Sequence, residues 1–548
     1  MKAYVLLILL LITSSSFAIV DMKNANYSNT WVDLEIPGSG YDLKVSRTYN
    51  SRSLFNGFFG FGWCSDFETK IEVTAEGNLK LTECGAGQEN YYFPREFSRK
   101  DIDKTISQIV DRLKASKKMD GKSLKKLAQD LVTDHDLRAK HAYEMKIAIQ
   151  VKEGSQFFVN GKQVENIVFA KGYYTRNMVD GSSQRFSAQG HLTYIYDKNG
   201  NYLKFDYDKN QIKEASDNNG RRLQFKYYTN NKIKSITGPN NLSVEYKFAN
   251  MDDLSWVKNA WGNIYNYEYD DLHNLTKASY PDGTSIAIKY DKKNDWVTGF
   301  TDREKCTEDY GYEFSDSDPK NHYWSTVKKT CGKEVVNESK HEFWYKDRAD
   351  GEKFLQRVSS NINGNVTEIA YHEVFGKPIM IRRNNETNTY EYYPNGQVKA
   401  KISKYTKLTY DYDKVTKKVS EVSTVTTNEK GKVVANKKTL FKYDQKGNLV
   451  WAANSDGQKI QMTYDTRGRI ATITDHAKKV VKIEYEEKFG RPAVVTRPGL
   501  GTIKVAYKAN GEIDKVTSNE GPSVAMQVAS TFNNLLDIIA PATAETQN

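Results

Sequence analysis

The sequence predicts a mainly β protein: an antiparallel sheet, built from a repeated Tyr-Asp hairpin and coiled into a curved, partly open shell, with an inserted αα-hairpin and a C-terminal helix. Three observations predict it. The first is composition. Hydrophobic residues are 38% of the 548, below the roughly 45–50% of an ordinary globular domain, yet aromatics reach 12%. Disordered chains are poor in aromatics, so disorder is not the explanation. Tyr (36) outnumbers Phe (23) and Pro is scarce at 11, which suits extended sheets with half-wet faces. The second is a spacing of 20–22 residues between equivalent tyrosines. The third is the Asp, Gly and Asn chemistry of the turn that follows each of them. A helical bundle, a collagen-like fibre and a low-complexity chain are excluded. The net charge is +11, from 80 Lys+Arg against 69 Asp+Glu.

Residues 1–18 read as a secretory signal. Met1-Lys2 supplies a positive charge, Val5–Ile12 is an apolar run, and Ser16-Phe17-Ala18 offers small residues at its exit. Cleavage is expected between Ala18 and Ile19, placing the mature chain in the periplasm or cell envelope, or secreted. No apolar run reaches the roughly 18–20 residues of a membrane span.

Residues 19–93 are expected to form an opening β domain. Outside the cytosol cysteines usually pair, and Cys64, Cys84, Cys306 and Cys331 allow three connectivities. The neighbours Cys64–Cys84 and Cys306–Cys331 are favoured because each pair brackets a hairpin. No C-x-x-C occurs and the eight His show no ligand spacing, so neither a metal nor a cofactor is expected.

Residues 94–150 break the strand pattern. Ile102, Ile106, Ile109, Val110 and Leu113 recur at helical spacing after an N-cap at Ser98. Leu124, Leu127, Ala128 and Leu131 mark a second helix after Asp120-Gly121. Lys114, Lys117, Lys118, Lys122, Lys125 and Lys126 make one face basic. It reads as a solvated face, partly balanced by Asp111, Asp120 and Asp130; binding to nucleic acid or an anionic surface is the alternative.

Residues 151–517 carry the repeat. Its clearest copies are Tyr196-Asp197 with Gly200-Asn201, Tyr269-Asp270 with Asn274-Leu275, Tyr443-Asp444 with Gly447-Asn448-Leu449, and Tyr464-Asp465 with Gly468-Arg469-Ile470. The long steps from Tyr312 to Tyr345 and from Tyr412 to Tyr443 read as lengthened hairpins. Each unit alternates: Phe441 and Tyr443 share a face while Lys442 points away. A lone hairpin cannot bury such a face, but stacked neighbours can. About fifteen two-stranded units with strands about 4.8 Å apart give a ribbon of about 140 Å, or one and a half turns around an interior about 30 Å wide. Exposed strand edges would invite self-association.

Residues 518–548 close the chain. Val524, Val528, Phe532, Leu535, Leu536 and Ile539 recur at helical spacing between Pro522 and Pro541. This helix is expected to cap the last repeat or plug a cavity, with docking onto a partner as the alternative.

Tyr-Asp followed by Gly-Asn-Leu resembles the YD repeats of rearrangement-hotspot (Rhs) proteins, wall-associated proteins and teneurin shells. Trp31-Val32-Asp33-Leu34-Glu35-Ile36-Pro37-Gly38, Arg47-Thr48-Tyr49-Asn50-Ser51 and Gly60-Phe61-Gly62-Trp63 are similar to the domain that opens many bacterial Rhs proteins. The two resemblances cover most of residues 27–517. They imply a hollow β-shell around a C-terminal effector, often a toxin. The sequence departs from that pattern. Asp318-Pro319 continues as Lys320-Asn321, Arg497-Pro498-Gly499-Leu500 lacks the Asp-Pro of the family's cleavage signature, and some forty residues after Tyr507 are too few for an ordinary toxin domain.

No catalytic constellation is legible: no phosphate loop, no H-E-x-x-H and no G-x-S-x-G. Asp197, Asp270, Asp444 and Asp465 read as turn residues, and His135 and His141 are six apart, off one helix face. The expected function is a non-enzymatic extracytoplasmic shell that shields, delivers or displays a separate partner, such as an effector or envelope protein, in toxin delivery or intercellular competition. The alternatives are a cell-surface adhesin whose exposed rings stack on glycans, and an enzyme with a site assembled across repeats. Nucleic acid is not expected as a partner.

Overall fold

A computed structural model describes residues 19–74, 77–83, 88–94, 99–116, 119–147, 151–159, 162–348, 353–508 and 511–519, with single positions of the tail between 526 and 538. The signal segment, Cys84, Ser98, Lys117 and Lys118 lie outside the described residues, as do Val524, Phe532, Leu535, Leu536 and Ile539 of the tail. From Gln156–Val159 to Ile513–Ser518 the chain forms one sheet of 33 strands in strict sequence order. Every neighbouring pair is antiparallel, as in Lys459–Tyr464 against Ile470–Asp475.

The repeat explains why this ribbon coils. The register slips immediately before the repeat aromatic, between Glu268 and Tyr269, Lys289 and Tyr290, Lys442 and Tyr443, Thr463 and Tyr464, and Glu484 and Tyr485. A bulge bends its strand and increases the local twist, so bulges recurring before the aromatic of most units curl the sheet; the Tyr312 hairpin pairs without one. The turn after strand Leu192–Tyr196 lies against the turn after strand Val433–Tyr443, where Asn448 Nδ2 donates to Asn199 Oδ1 at 3.0 Å. These are the fifth and twenty-sixth of the 33 strands, so one revolution takes twenty-one strands. At about 4.8 Å each the circumference is about 100 Å. The sheet therefore makes a little over one and a half revolutions and does not close into a barrel.

The opening segment fills the first part of the coil. Its strands Asn26–Ile36 and Leu43–Asn50 pair with each other, and Trp31, Leu34, Val45, Tyr49, Phe59 and Trp63 share one core with the array's inner face, from Phe157 to Phe300. A second core runs from Val398 to Ile483 and takes in Ile538 of the tail, with Val528 packed beside it. The described tail positions Met526, Val528, Ser530, Thr531 and Ile538 are helical. The tail thus packs into the second core at Val528 and Ile538.

The insertion has its own small core of Ile102, Ile106, Ile109, Leu131, Ala142 and Ile147. It contains three helices rather than the expected pair: α1 (Arg99–Ser116), α2 (Gly121–Thr133) and α3 (His135–Glu144). Asp120 caps α2 by accepting from Lys122 N and Ser123 N. Asp134 ends α2 and accepts from Leu137 N at 2.8 Å, starting α3 where the sequence showed no apolar period. Among the described residues no helix is long and apolar enough to cross a membrane.

The long Tyr steps are strand, not loop. His322–Cys331, Glu334–Asp347 and Lys353–Ile362 are among the longest strands. Their outer face carries a stacked row in which Trp344 stands beside His322 (ring centroids 4.8 Å apart) and Arg357 (3.7 Å). Cys306 and Cys331 form a disulfide across the base of the hairpin that leads into them, 25 residues apart in sequence. Replacing both by serine is expected to cost about 3 kcal/mol on the loop-entropy estimate. Unfolding midpoints that coincide with and without reductant would overturn this.

Candidate functional site: the inner wall of the shell

The wall is assembled from one recurring rung. The tyrosine hydroxyl reaches back about fifteen residues and donates to the carbonyl of the apolar residue that opens the preceding strand. Tyr269 reaches Leu254 O at 2.8 Å, Tyr290 Leu275 O at 3.0 Å, Tyr464 Leu449 O at 2.7 Å and Tyr485 Ile470 O at 2.8 Å. Tyr443 spans 24 residues to Val419 O because its hairpin is longer. Burial pushes the Tyr464 phenol up to about 12, so it remains a donor. Tyr464→Phe is expected to lose about 1 kcal/mol, read as a shift in urea midpoint; an unchanged midpoint would reject the rung.

The aspartate beside each tyrosine folds the turn. Asp197, Asp270, Asp444 and Asp465 each accept from the backbone N–H groups two and four residues on. These carboxylates are spent on their own turns. Tyr196 stands apart from the ladder: its ring stacks on Tyr194 at 5.2 Å, and the rung position belongs to Tyr207, which reaches Leu192 O.

Turns of successive revolutions form a seam. Asn201 Nδ2 and Arg467 Nη1 cross it to Arg467 O (3.2 Å) and Asn219 Oδ1 (2.6 Å). Lys198 and Lys418 both donate to Gly447 O, at 3.2 and 3.0 Å. Burial and the nearby Lys198 charge lower the Lys418 pKa.

The opening segment docks on the wall through a buried polar node. Arg47 Nε donates to Asp33 Oδ2 at 2.7 Å, with both side chains fully buried. Tyr246 Oη donates to the same oxygen at 2.9 Å, and Arg47 Nη2 reaches Tyr267 Oη at 2.7 Å. The guanidinium lies over the rings of Trp63 (4.6 Å), Tyr267 (5.1 Å) and Trp31 (5.6 Å). Nearby, Glu68 closes a capping box with Ser65 and accepts from Phe58 N at 2.5 Å. Burial raises its carboxyl to about 7. The sequence offered the motif residues Asp33, Arg47 and Trp63 but no sign that they were partners of one another.

Between Phe300 and Val398 the wall adds no residue to the buried set of either core, although Tyr310 packs on the first and Tyr392 on the second, and Tyr323 Oη and Ser325 Oγ donate to Lys23 O and Met22 O of the opening segment. Cross-strand register places Tyr323, Phe343, Val358 and Ile369 on its inner face, with Ser325, His341, Ser360 and Thr367 beside them. His341 Nδ1 lies 2.9 Å from Ser360 Oγ and Nε2 3.0 Å from Ser339 Oγ, and burial lowers its pKa. Its neighbour Glu342 faces outward, held by His322 at 2.7 Å, so no carboxylate orients the imidazole. This stretch is a mixed aromatic and hydroxyl surface suited to binding. Cys64 is buried; its expected partner Cys84 lies outside the described residues. Among the described residues no group of three or more His, Cys, Asp or Glu is placed to hold a metal.

A spiral β-sheet with a tyrosine rung recurring along it and its opening segment folded against the inner face defines a YD-repeat shell. The chain belongs to the Teneurin YD-shell family, which matches residues 164–343 and 350–498, and thus to the wider Rhs/YD-repeat group. Residues 18–92 match a domain of unknown function (DUF6531). No curated protein matches. Among solved structures the chain is similar to the TcdB2-TccC3-TEV crystal structure, at 11% identity and a TM-score of 0.39, covering 90% of this chain and 29% of that one. It is also similar to the Photorhabdus luminescens Tc holotoxin pore with a mutated TccC3, at 11% identity and a TM-score of 0.34, covering 88% and 30%. The chain spans less than a third of the length of either.

Proposed function

We propose that this protein is a non-enzymatic, extracytoplasmic shell that shields, delivers or displays a separate polypeptide, in toxin delivery or intercellular competition. One observation carries the reading: the inner wall between Phe300 and Val398 adds no residue to the buried set of either core, and although Tyr323 and Ser325 donate to Lys23 O and Met22 O of the opening segment, Val358 and Ile369 belong to neither core. Family membership supports a shell. The Cys306–Cys331 bond supports an oxidising compartment, with Cys64–Cys84 as a second bridge and Ile19 as the mature N-terminus. An intact mass that retains Met1 in envelope-extracted protein would reject that start.

The experiment places a photo-crosslinking residue at Val358 on the inner wall or at Ser359 on the outer face. Irradiation in the native envelope is expected to join Val358 to a discrete second polypeptide and Ser359 to none. Equal products from both positions, or none from Val358, would overturn the reading.

A further inference from the structure

On the rim of the second revolution, the turn from Asp475 to Lys479 and the turn from Arg497 to Gly501 enclose a cavity of about 570 Å³. Lys478, Lys479, Lys482 and Arg497 line it together with Val480 and Leu500, and every ionisable group in the lining is cationic. The nearest turn carboxylate, Asp475, is engaged: its Oδ1 accepts from Lys479 N at 2.9 Å. Arg497 is buried, and its Nη1 is bonded to Thr531 Oγ1 of the tail at 3.2 Å. Lys482 pairs across the sheet with Thr496, whose hydroxyl lies 3.2 Å from that of Thr502. Three ammonium groups and a fixed guanidinium therefore line one cup.

A second observation marks the same place. In the equivalent turns, the residue whose N–H bonds back to the first carbonyl is usually glycine, as at Gly200, Gly447, Gly457 and Gly468, with Asn231, His273 and Lys305 as exceptions outside this pocket. Here it is Lys478, held at φ 58°, where a side chain costs strain that glycine avoids. The turn tolerates an unfavourable backbone and in return presents an amine beside three other cations.

We propose that this pocket binds a phosphate group, either free or carried by a lipid headgroup. Lysines act as point charges toward phosphate oxygens. No aromatic ring lines the cup, so it lacks the stacking surface on which single-stranded nucleic acid relies.

The test uses the full chain with pyrophosphate followed by calorimetry, and with phosphatidylglycerol or phosphatidylcholine vesicles followed by flotation. Lys478→Gly restores the usual turn residue, so its unfolding midpoint should hold or rise while affinity falls about tenfold, the loss expected for one charge-assisted contact. Lys482→Gln should do the same, and added salt should weaken binding. Pyrophosphate binding without flotation identifies free phosphate as the ligand; flotation on phosphatidylglycerol alone identifies the headgroup. If neither probe binds, or both bind the two variants as tightly as the native chain, the proposal fails.

Discussion

Arg47→Ala is expected to destabilise the protein by about 3–5 kcal/mol, the usual loss when one partner of a buried ion pair is removed. Asp33 would be left fully buried with only the Tyr246 hydroxyl to answer it, and the rings of Trp31, Trp63 and Tyr267 would lose the cation between them. The opening segment should release first, because the node is where it meets the wall. Tryptophan emission followed through urea unfolding reads this directly, since two indoles flank the site. Asp33→Asn should cost less, because it removes the negative charge but keeps an acceptor for the guanidinium. A loss under about 1 kcal/mol for Arg47→Ala, well below the buried-pair range, would show that the segment is held by its apolar core alone.

Stability should also fall as pH rises from about 4.5 to 7, through Glu68. In the unfolded chain this carboxyl titrates near its ordinary 4.5; in the fold, burial raises it to about 7 despite the hydrogen bonds from Phe58 and Ser65. Between those values the native state holds the extra proton, so deprotonation on the alkaline side disfavours folding. The full shift corresponds to roughly 3 kcal/mol. The contribution is complete below the unfolded value and gone above the folded one. Glu68→Gln should flatten the pH dependence of the unfolding midpoint across that window. Parallel profiles for the native chain and the variant would refute the assignment.

The repeat was legible because its parts are close in sequence. Tyr464, the bulge before it, the Asp465 turn after it and the Leu449 carbonyl it reaches all fall within about twenty residues. Local hydrogen bonding of that kind imprints a period, and the period implies a stack. The size argument followed from the strand count, the strand spacing and an interior taken as about 30 Å wide, and 33 strands at twenty-one per revolution match the one and a half turns expected from it. The third helix, α3, was not legible: its start depends on a single capping aspartate, Asp134, and its short run has no apolar period. Lys478 was not legible either: its role depends on the backbone of its turn and on the cation that a neighbouring turn brings beside it.

By itself, the sequence determined the antiparallel hairpin unit, its turn chemistry and the coiling of many such units into a shell. Those follow from contacts made within one repeat and between adjacent ones. Only the tertiary structure decided what fills the shell. Asp33 meets Tyr246 across 213 residues and Arg47 meets Tyr267 across 220, while Asn199 meets Asn448 across 249 at the seam. Ile538 completes a core whose other members begin at Val398. No periodicity records such pairs, because a revolution of twenty-one strands brings together residues whose separation reflects the circumference of the coil rather than any local geometry. The wall between Phe300 and Val398 is likewise a property of the coil: it is the arc that adds no residue to the buried set of either core and meets them only at its edges, through Tyr310 and Tyr392.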